Sequence, residues 1–537
     1  MFTRVDRNNK SVLIIDDMEG MRKQLHQSLF SEGFARLDMS SSVADALERM
    51  SGIKYDIILC DYTLGDNATN GQQFLEYLRN NSIISTNTMF IMITAEQSFS
   101  KVIAASEFSP DDYLLKPFTP AQFNIRLGKV LQKKQYFSQV DAYIDNANWL
   151  QVVVECDKLM RTKDQYFYDL CKVKGLALLQ SNQLQQAADF YSEILLMRPL
   201  IWAKFGLAKA WVMQGVAVKA VLLLDEIQLE QPTFMASYDL LAQIKSDSGD
   251  EAGALVVLKS ARKLSPGRLS RIRETCRLAV ATGQSEFAET VMRETLEHNQ
   301  SSPVLKALDY VLLAHALMRQ EKLAEALSLV HDGVNLFADN ESILSLRAME
   351  SILHKAKGDL ASAEQSLSVA LEAGDPMSFS IDAILVVAEA YFSLGRDADA
   401  DRLLRYVIQN NVEDMSVKGR VRDVLVACGK NSDEAIELIG EHEREVEQLS
   451  SEGVNRAKSG QFDDAIELLC AAADRLPNNV HVLANTALVM AFDLMRNGHN
   501  QERLFKCLGY RAALRTKSPN DPNLSKIDNM LQKLKNE

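Results

Sequence analysis

A chain of 537 residues with 47% hydrophobic content is long enough to bury several cores. Its net charge of −13 argues against a phosphate-backbone partner, and no apolar run reaches the roughly 18 residues of a membrane-spanning helix. The seven cysteines (60, 156, 171, 276, 428, 470 and 507) form no CxxC pair and no zinc spacing, and the start Met1–Asp6 lacks a signal peptide's apolar stretch, so reduced core thiols and a cytoplasmic location are expected.

In chain order, the first apolar run, Ser11–Ile15, stops at Asp16 and Asp17, and a second, Asp56–Cys60, stops at Asp61. Short β-branched runs of this kind read as parallel strands buried on both faces, with the acids at their carboxyl ends. That edge is where open α/β sheets place their sites. Three acids converging there suit a divalent cation, and Mg²⁺ takes carboxylate, carbonyl and water ligands. Met89–Ile93 then stops at Thr94, and Asp112–Leu115 stops at Lys116-Pro117-Phe118, which adds a hydroxyl and an ammonium to the acids.

With five separated positions agreeing in order and strand context, the segment of roughly residues 9–136 resembles the receiver domain of two-component response regulators. The resemblance implies a flavodoxin-like α/β fold, a doubly wound five-stranded parallel sheet, over residues 1–136. It implies that Asp61 is the phosphoacceptor, taking a phosphoryl group from a phosphohistidine on a sensor histidine kinase. By the same likeness Asp17 binds Mg²⁺ directly, Asp16 through water, and Asp61 and the backbone carbonyl of Thr63 complete the ligand set. Lys116 pairs with one phosphoryl oxygen and Thr94 hydrogen-bonds another, which is the neutralisation a carboxylate acceptor requires. Lys116-Pro117 matches the family's cis peptide, and Tyr113 its switch aromatic, which turns inward as Thr94 moves. Ala95 leaves the site open, and Thr63 and Glu96 flank the entry. The loop after Asp61, Tyr62–Asn70, departs from the family pattern: it lacks the usual proline and reaches Gly71 about two residues late. Asp112 and Arg126 match an acid and an arginine that pair across receiver homodimers.

From about residue 137 the strand-like runs stop and an internal repeat begins. Ala187, Ala220, Ala254 and Ala288 lie 33 or 34 residues apart, and Ala326, Ala363, Ala400 and Ala465 continue the series with wider spacing. A small residue mostly precedes each by twelve: Gly175, Ala208, Ala242, Ala314, Ala388, Gly453, with Cys276 and Ser351 as exceptions. Prolines follow at 199, 232, 266 and 477. Helices of a hairpin approach closely where small side chains face each other, the proline ends the second helix, and stacked hairpins share one core. The pattern resembles tetratricopeptide repeats, and an all-α superhelical solenoid is expected over 137–537, clearest over 168–267 and 446–479. Residues 411–445 and 480–537 read as helical but degenerate. Phe137–Lys163 also reads as a helix pair, with no flexible linker between it and the receiver's last helix, roughly Pro120–Gln135, so a join through continuous or closely packed helix is expected.

Charge separates the same regions: about −16 falls on residues 138–501 and about +4 on the last 36. An acidic array favours a basic peptide or helix in its groove. Receiver and repeats use the whole chain, so no DNA-binding domain, attached enzyme or membrane segment is expected. The function expected is a bacterial response regulator of a phosphorelay whose output is protein–protein interaction by the repeats; the alternative is a phosphoryl sink, or an inhibitor of the kinase's transfer to another regulator. His315 and His354 fall on repeat helices, where packing is their expected role.

Overall fold

The computed structural model describes residues 7–65, 69–95, 110–299, 302, 304–412, 414–498, 500–518 and 521–536. Glu96, the loop residues Asp66–Ala68 and the amino-terminal Met1–Asp6 lie outside them. The amino-terminal region is a five-stranded parallel sheet in the order β2-β1-β3-β4-β5, with β1 Ser11–Ile15, β2 Arg36–Ser40, β3 Ile57–Asp61, β4 Met89–Thr94 and β5 Asp112–Leu115. β1, β3 and β4 are buried along their whole length, which is why they read as unbroken apolar runs rather than alternating ones. Period-2 geometry sends Val12 and Ile14 to one face, with Leu25, Leu29 and Phe123. Leu13 and Ile15 go to the other, with Phe74, Leu75 and Phe90.

The crossover helices start at recognisable caps. Ser42 caps α2 (Val43–Gly52) by accepting from the Asp45 amide, and α3 (Gly71–Asn80) opens on a capping box between Asn70 and Gln73. α1 (Glu19–Ser31) has no side-chain cap. The helix after β5 opens on a second capping box, Thr119 with Gln122, with Pro120 in its first turn.

That last helix runs from Pro120 to Asp145 without interruption. With no Gly-, Ser- or Pro-rich linker at this point, the sequence predicts a continuous or closely packed helical join, and the helix is continuous across position 136. Its distal part is tied back to the receiver. Asp145 accepts from the Thr86 amide at 2.8 Å, Lys134 donates to the Thr86 carbonyl, and Lys134 pairs with Asp111 at 3.0 Å.

The rest of the chain is helical among the described residues, from Trp149–Met160 to Pro522–Asn536. It packs as successive antiparallel helices, a helical repeat array as the periodicity predicts. Every alanine of the series, from Ala187 to Ala465, is fully buried in the second helix of its pair. At four of the positions twelve residues earlier, the residue meets the second helix of its pair. Ser351 donates to the Ala363 carbonyl at 2.7 Å, and Cys276 approaches the Ala288 carbonyl at 3.8 Å. A Cβ at Gly175 would stand 2.5 Å from the Tyr191 ring, and one at Gly453 2.5 Å from Leu469. Helices end at Met197, Glu230, Leu264 and Arg475, each two residues before a proline of the series.

The wider spacing after Ala288 has three visible sources. These are the connection between His298 and Ala307, the long helix Asn340–Ala356 and a 3₁₀ turn at Pro376–Ser378. The helix Ser432–Lys458 crosses from the degenerate stretch into the last clear repeat without a break. By contact the chain forms two compact units. One comprises Met1–Ala177, Gln185–Ile244 and Glu251–Asp309; the other comprises Leu178–Leu184, Lys245–Asp250 and Tyr310–Glu537. Among the described residues no helix is long and apolar enough to cross a membrane.

Candidate functional site

β1, β3, β4 and β5 are parallel and in register, so their carboxyl ends form one edge of the sheet. There Asp16 directly follows β1, Asp61 and Thr94 are the last residues of β3 and β4, and Lys116 directly follows β5. Asp16, Asp61 and Thr94 are buried while Asp17 is exposed. The Lys116 Nζ lies 2.8 Å from Asp16 Oδ2 and 2.8 Å from Asp61 Oδ2. One carboxylate oxygen from each of Asp16, Asp17 and Asp61 falls within 4.8 Å of the others.

The backbone fixes these side chains. The Tyr62 amide donates to the Ile93 carbonyl and the Lys116 amide to the Thr94 carbonyl, both at 2.7 Å, which holds each chain exit in line with its neighbour strand. The Met18 amide donates to Asp16 Oδ1 at 2.8 Å, leaving Oδ2 to Lys116. The Lys116-Pro117 peptide is cis, as the resemblance implies.

Burial pushes the Asp61 carboxyl above its ordinary range, against the Lys116 ammonium, which favours ionisation. Lys116 is held above its ordinary value: burial opposes its charge, but the hydrogen-bonded Asp16 and Asp61 carboxylates outweigh it. Three carboxylates against the Lys116 ammonium, with the Arg22 guanidinium held on the Asp16 and Asp17 backbone carbonyls, leave the pocket short of positive charge. A hard divalent cation with oxygen ligands fits that deficit and that donor set. Its charge would act on Asp61 opposite to burial, favouring the ionised form.

The remaining predicted residues sit around this edge. Thr63, two residues past Asp61, is exposed. Tyr113 packs against the core cluster containing Phe74 and Phe90, and its hydroxyl is buried with no hydrogen-bond partner among the described residues. Arg126 meets Asp112 of its own chain at 3.5 Å and donates to the Tyr113 carbonyl, so the pair matched to a dimer contact is made within one chain. In the array, His315 faces Glu389 at 3.5 Å and His354 lies 4.0 Å from Asp359, and neither joins the acid cluster.

Sequence reasoning missed two residues. Arg22, one turn into α1, donates to the Asp16 and Asp17 carbonyls at 2.5 and 2.9 Å and clamps the acid pair through its backbone. Its only signal was a basic residue just inside the helix. Gly71 is the second: a Cβ there would stand 2.4 Å from the Asp61 carbonyl oxygen and 2.8 Å from the Met92 sulfur. The start of α3 therefore lies against the acceptor strand, an approach that only glycine permits.

Residues 12–127 match the family model described as response regulator receiver domain. The chain is 28% identical over 151 residues to the Regulator of RpoS of Escherichia coli K12, a match covering 26% of this chain and 42% of that protein. The protein of the same name from Shigella flexneri matches equally. The chain thus spans less than half the length of these curated relatives. Among solved structures, the receiver domain of the Francisella response regulator 1452 is 26% identical, covering 23% of this chain and 98% of that one, with a TM-score of 0.21. Vibrio cholerae CheY4 is 24% identical, covering 22% and 98%, also with a TM-score of 0.21.

Proposed function

We propose, from the premise that residues 12–127 are a response regulator receiver domain followed by a long all-helical region, that the chain is a phosphorelay regulator acting through protein–protein contacts. Asp61 is the phosphoacceptor and a sensor histidine kinase the donor. The observation that carries this reading is the Lys116 ammonium at 2.8 Å from both Asp16 and Asp61, at the edge where four parallel strands end.

Asp16, Asp17, Asp61 and the Thr63 carbonyl would hold Mg²⁺. When bound, the ion neutralises charge on the transferring phosphoryl oxygens. Asp61 supplies the attacking oxygen, and its new P–O bond forms as the P–N bond to the kinase's phosphohistidine breaks and that imidazole leaves. Lys116 exchanges its contact with the Asp61 carboxylate for one with a phosphoryl oxygen, and Thr94 offers its hydroxyl to another. Tyr113 is the switch: its hydroxyl gains nothing by hydrogen bonding in its buried position, so small changes at Thr94 suffice to move it. The chain's chemistry is confined to its own phosphoryl transfer and hydrolysis.

The hairpin contacts at twelve-residue separation, with prolines two residues past the helix ends, support reading the array over 137–537 as tetratricopeptide repeats that bind a protein partner. The Regulator of RpoS is by name a regulator of another protein. Its similarity covers about a quarter of this chain and does not extend to the identity of the array's partner. The division at 136/137 remains our proposed domain boundary, although a truncated receiver should run to Asp145 to keep its ties to Thr86.

The test is incubation of the purified chain with Mg²⁺ and acetyl phosphate, followed by peptide mass spectrometry. One phosphoryl group on the Asp61 peptide, absent from Asp61→Ala, is expected; an unmodified wild type ends the reading. With the cognate kinase present, loss of an Asp61→Ala chain's ability to divert phosphate would favour the sink. Retained inhibition by that variant would favour occlusion of the kinase by the repeats.

A further inference from the structure

The long loop after Asp61 does not end in solvent. Thr69, its next-to-last residue, donates its hydroxyl hydrogen to the hydroxyl oxygen of Ser302, which lies in the connection between the helices ending at His298 and starting at Ala307. Thr69 and Ser302 are only 3% and 8% exposed, low values for hydroxyls in loops, which ordinarily run over the surface.

Each partner is fixed in its own region. On the receiver side, Thr69 directly precedes the Asn70 cap, the Gly71 amide donates to the Tyr62 carbonyl at 2.8 Å, and Gly71 lies against the carbonyl of Asp61. On the array side, Ser302 Oγ also accepts from the Val304 amide at 3.2 Å. The Val304 carbonyl accepts from Arg273 at 3.0 Å. Arg273 in turn forms a two-point pair with Asp309 at 2.7 and 2.9 Å, and Asp309 is fully buried and also accepts from the Lys306 amide. Val304 and Leu305 are buried beside Ser302.

We infer that the end of the acceptor loop is a docking element whose partner is Ser302 of this same chain, beside the buried Val304 and Leu305, so that phosphorylation of Asp61 is felt in the repeat array at that point. The physical basis is the shortness of the route. The acceptor's own carbonyl bounds the turn into α3, so a shift of the Asp61 backbone displaces Thr69, and a displaced Thr69 leaves a buried hydroxyl unpaired. Val304, held through Arg273 to Asp309, then passes the change to the helix starting at Ala307.

The coupling half of this inference rests on the acceptor reading of Asp61, and the docking half does not. The full-length chain is followed by amide hydrogen exchange, as wild type, Thr69→Val, Thr69→Ser and Ser302→Ala, with and without Mg²⁺ and beryllofluoride. Thr69→Val and Ser302→Ala should speed exchange in peptides spanning 295–312 by about tenfold, the order expected for one buried hydroxyl hydrogen bond. Thr69→Ser, which keeps the hydroxyl, should restore protection. Unchanged exchange there in both Thr69→Val and Ser302→Ala overturns the docking. In wild type, beryllofluoride should alter both the 295–312 peptides and those of β3 and β4, and in Thr69→Val only the latter. A response in β3 and β4 that never reaches 295–312 overturns the coupling and leaves the acceptor reading intact. No response in β3 and β4 overturns the acceptor reading and the coupling together.

Discussion

Lys116 is the single cation between two buried carboxylates, and its removal leaves Asp16 and Asp61 facing each other uncompensated. Breaking such a buried pair costs about 3–5 kcal/mol, so Lys116→Ala should lose stability on that order at pH 7 without Mg²⁺. Because burial pushes the Asp61 carboxyl above its ordinary range, protonation of Asp61 should shrink the penalty as pH falls, and millimolar Mg²⁺ should recover part of it. Urea titrations at several pH values with and without Mg²⁺ check both signs. Gly71 is a purely steric case. Gly71→Ala places a methyl on the Asp61 carbonyl, a backbone atom that cannot swing aside, and should cost about 2–3 kcal/mol with a lower rate of modification at Asp61. Equal stability of Gly71→Ala and wild type in the same titrations would contradict this account of the close approach.

At the scale of an element, the helix Pro120–Asp145 belongs to both regions, and its distal half carries a buried acid. Burial pushes the Asp141 carboxyl up to about 6, with Lys134 partly offsetting it and Asp111 and Asp145 adding to it. Its Oδ2 has no hydrogen-bond partner among the described residues, and Lys134 is 4.0 Å away. A carboxyl whose folded pKa exceeds its unfolded one contributes fully below the unfolded value, near 4, and loses that contribution as pH rises through about 6. Asp141→Asn should therefore be more stable than wild type at pH 7–8 by up to about 2–3 kcal/mol, with the difference closing below pH 4. Thermal melts of both chains across that range decide it; a gap that widens toward acid would reverse the assignment.

Across the whole molecule, stability in a stacked-hairpin array is a sum of local pairs and their nearest neighbours. Ala254 and Ala363 are fully buried at hairpin contacts, one in each compact unit. Ala254→Leu or Ala363→Leu should overpack its own hairpin at about 1–3 kcal/mol, with faster hydrogen exchange confined to that pair and its neighbours. Leu229→Ser, at a position 84% exposed, should change stability by less than about 0.5 kcal/mol. Exchange accelerated evenly over the array in Ala363→Leu would mean one cooperative unit instead.

The sequence by itself determined the strand ends, because a parallel strand buried on both faces must be apolar until it leaves the sheet, and the first polar residue marks the exit. Asp16, Asp61 and Thr94 were legible for that reason, whereas Lys116 follows β5, a partly buried edge strand, and was legible from the Lys116-Pro117-Phe118 run and the receiver resemblance. The hairpin alanines were legible because close helix packing imposes small side chains at a fixed spacing. Two features were decided only by tertiary structure. Arg22 and Gly71 act through backbone carbonyls, which leave no residue-type signature on the partner strand. The Thr69–Ser302 contact joins positions 233 residues apart, and nothing local in either loop names the other.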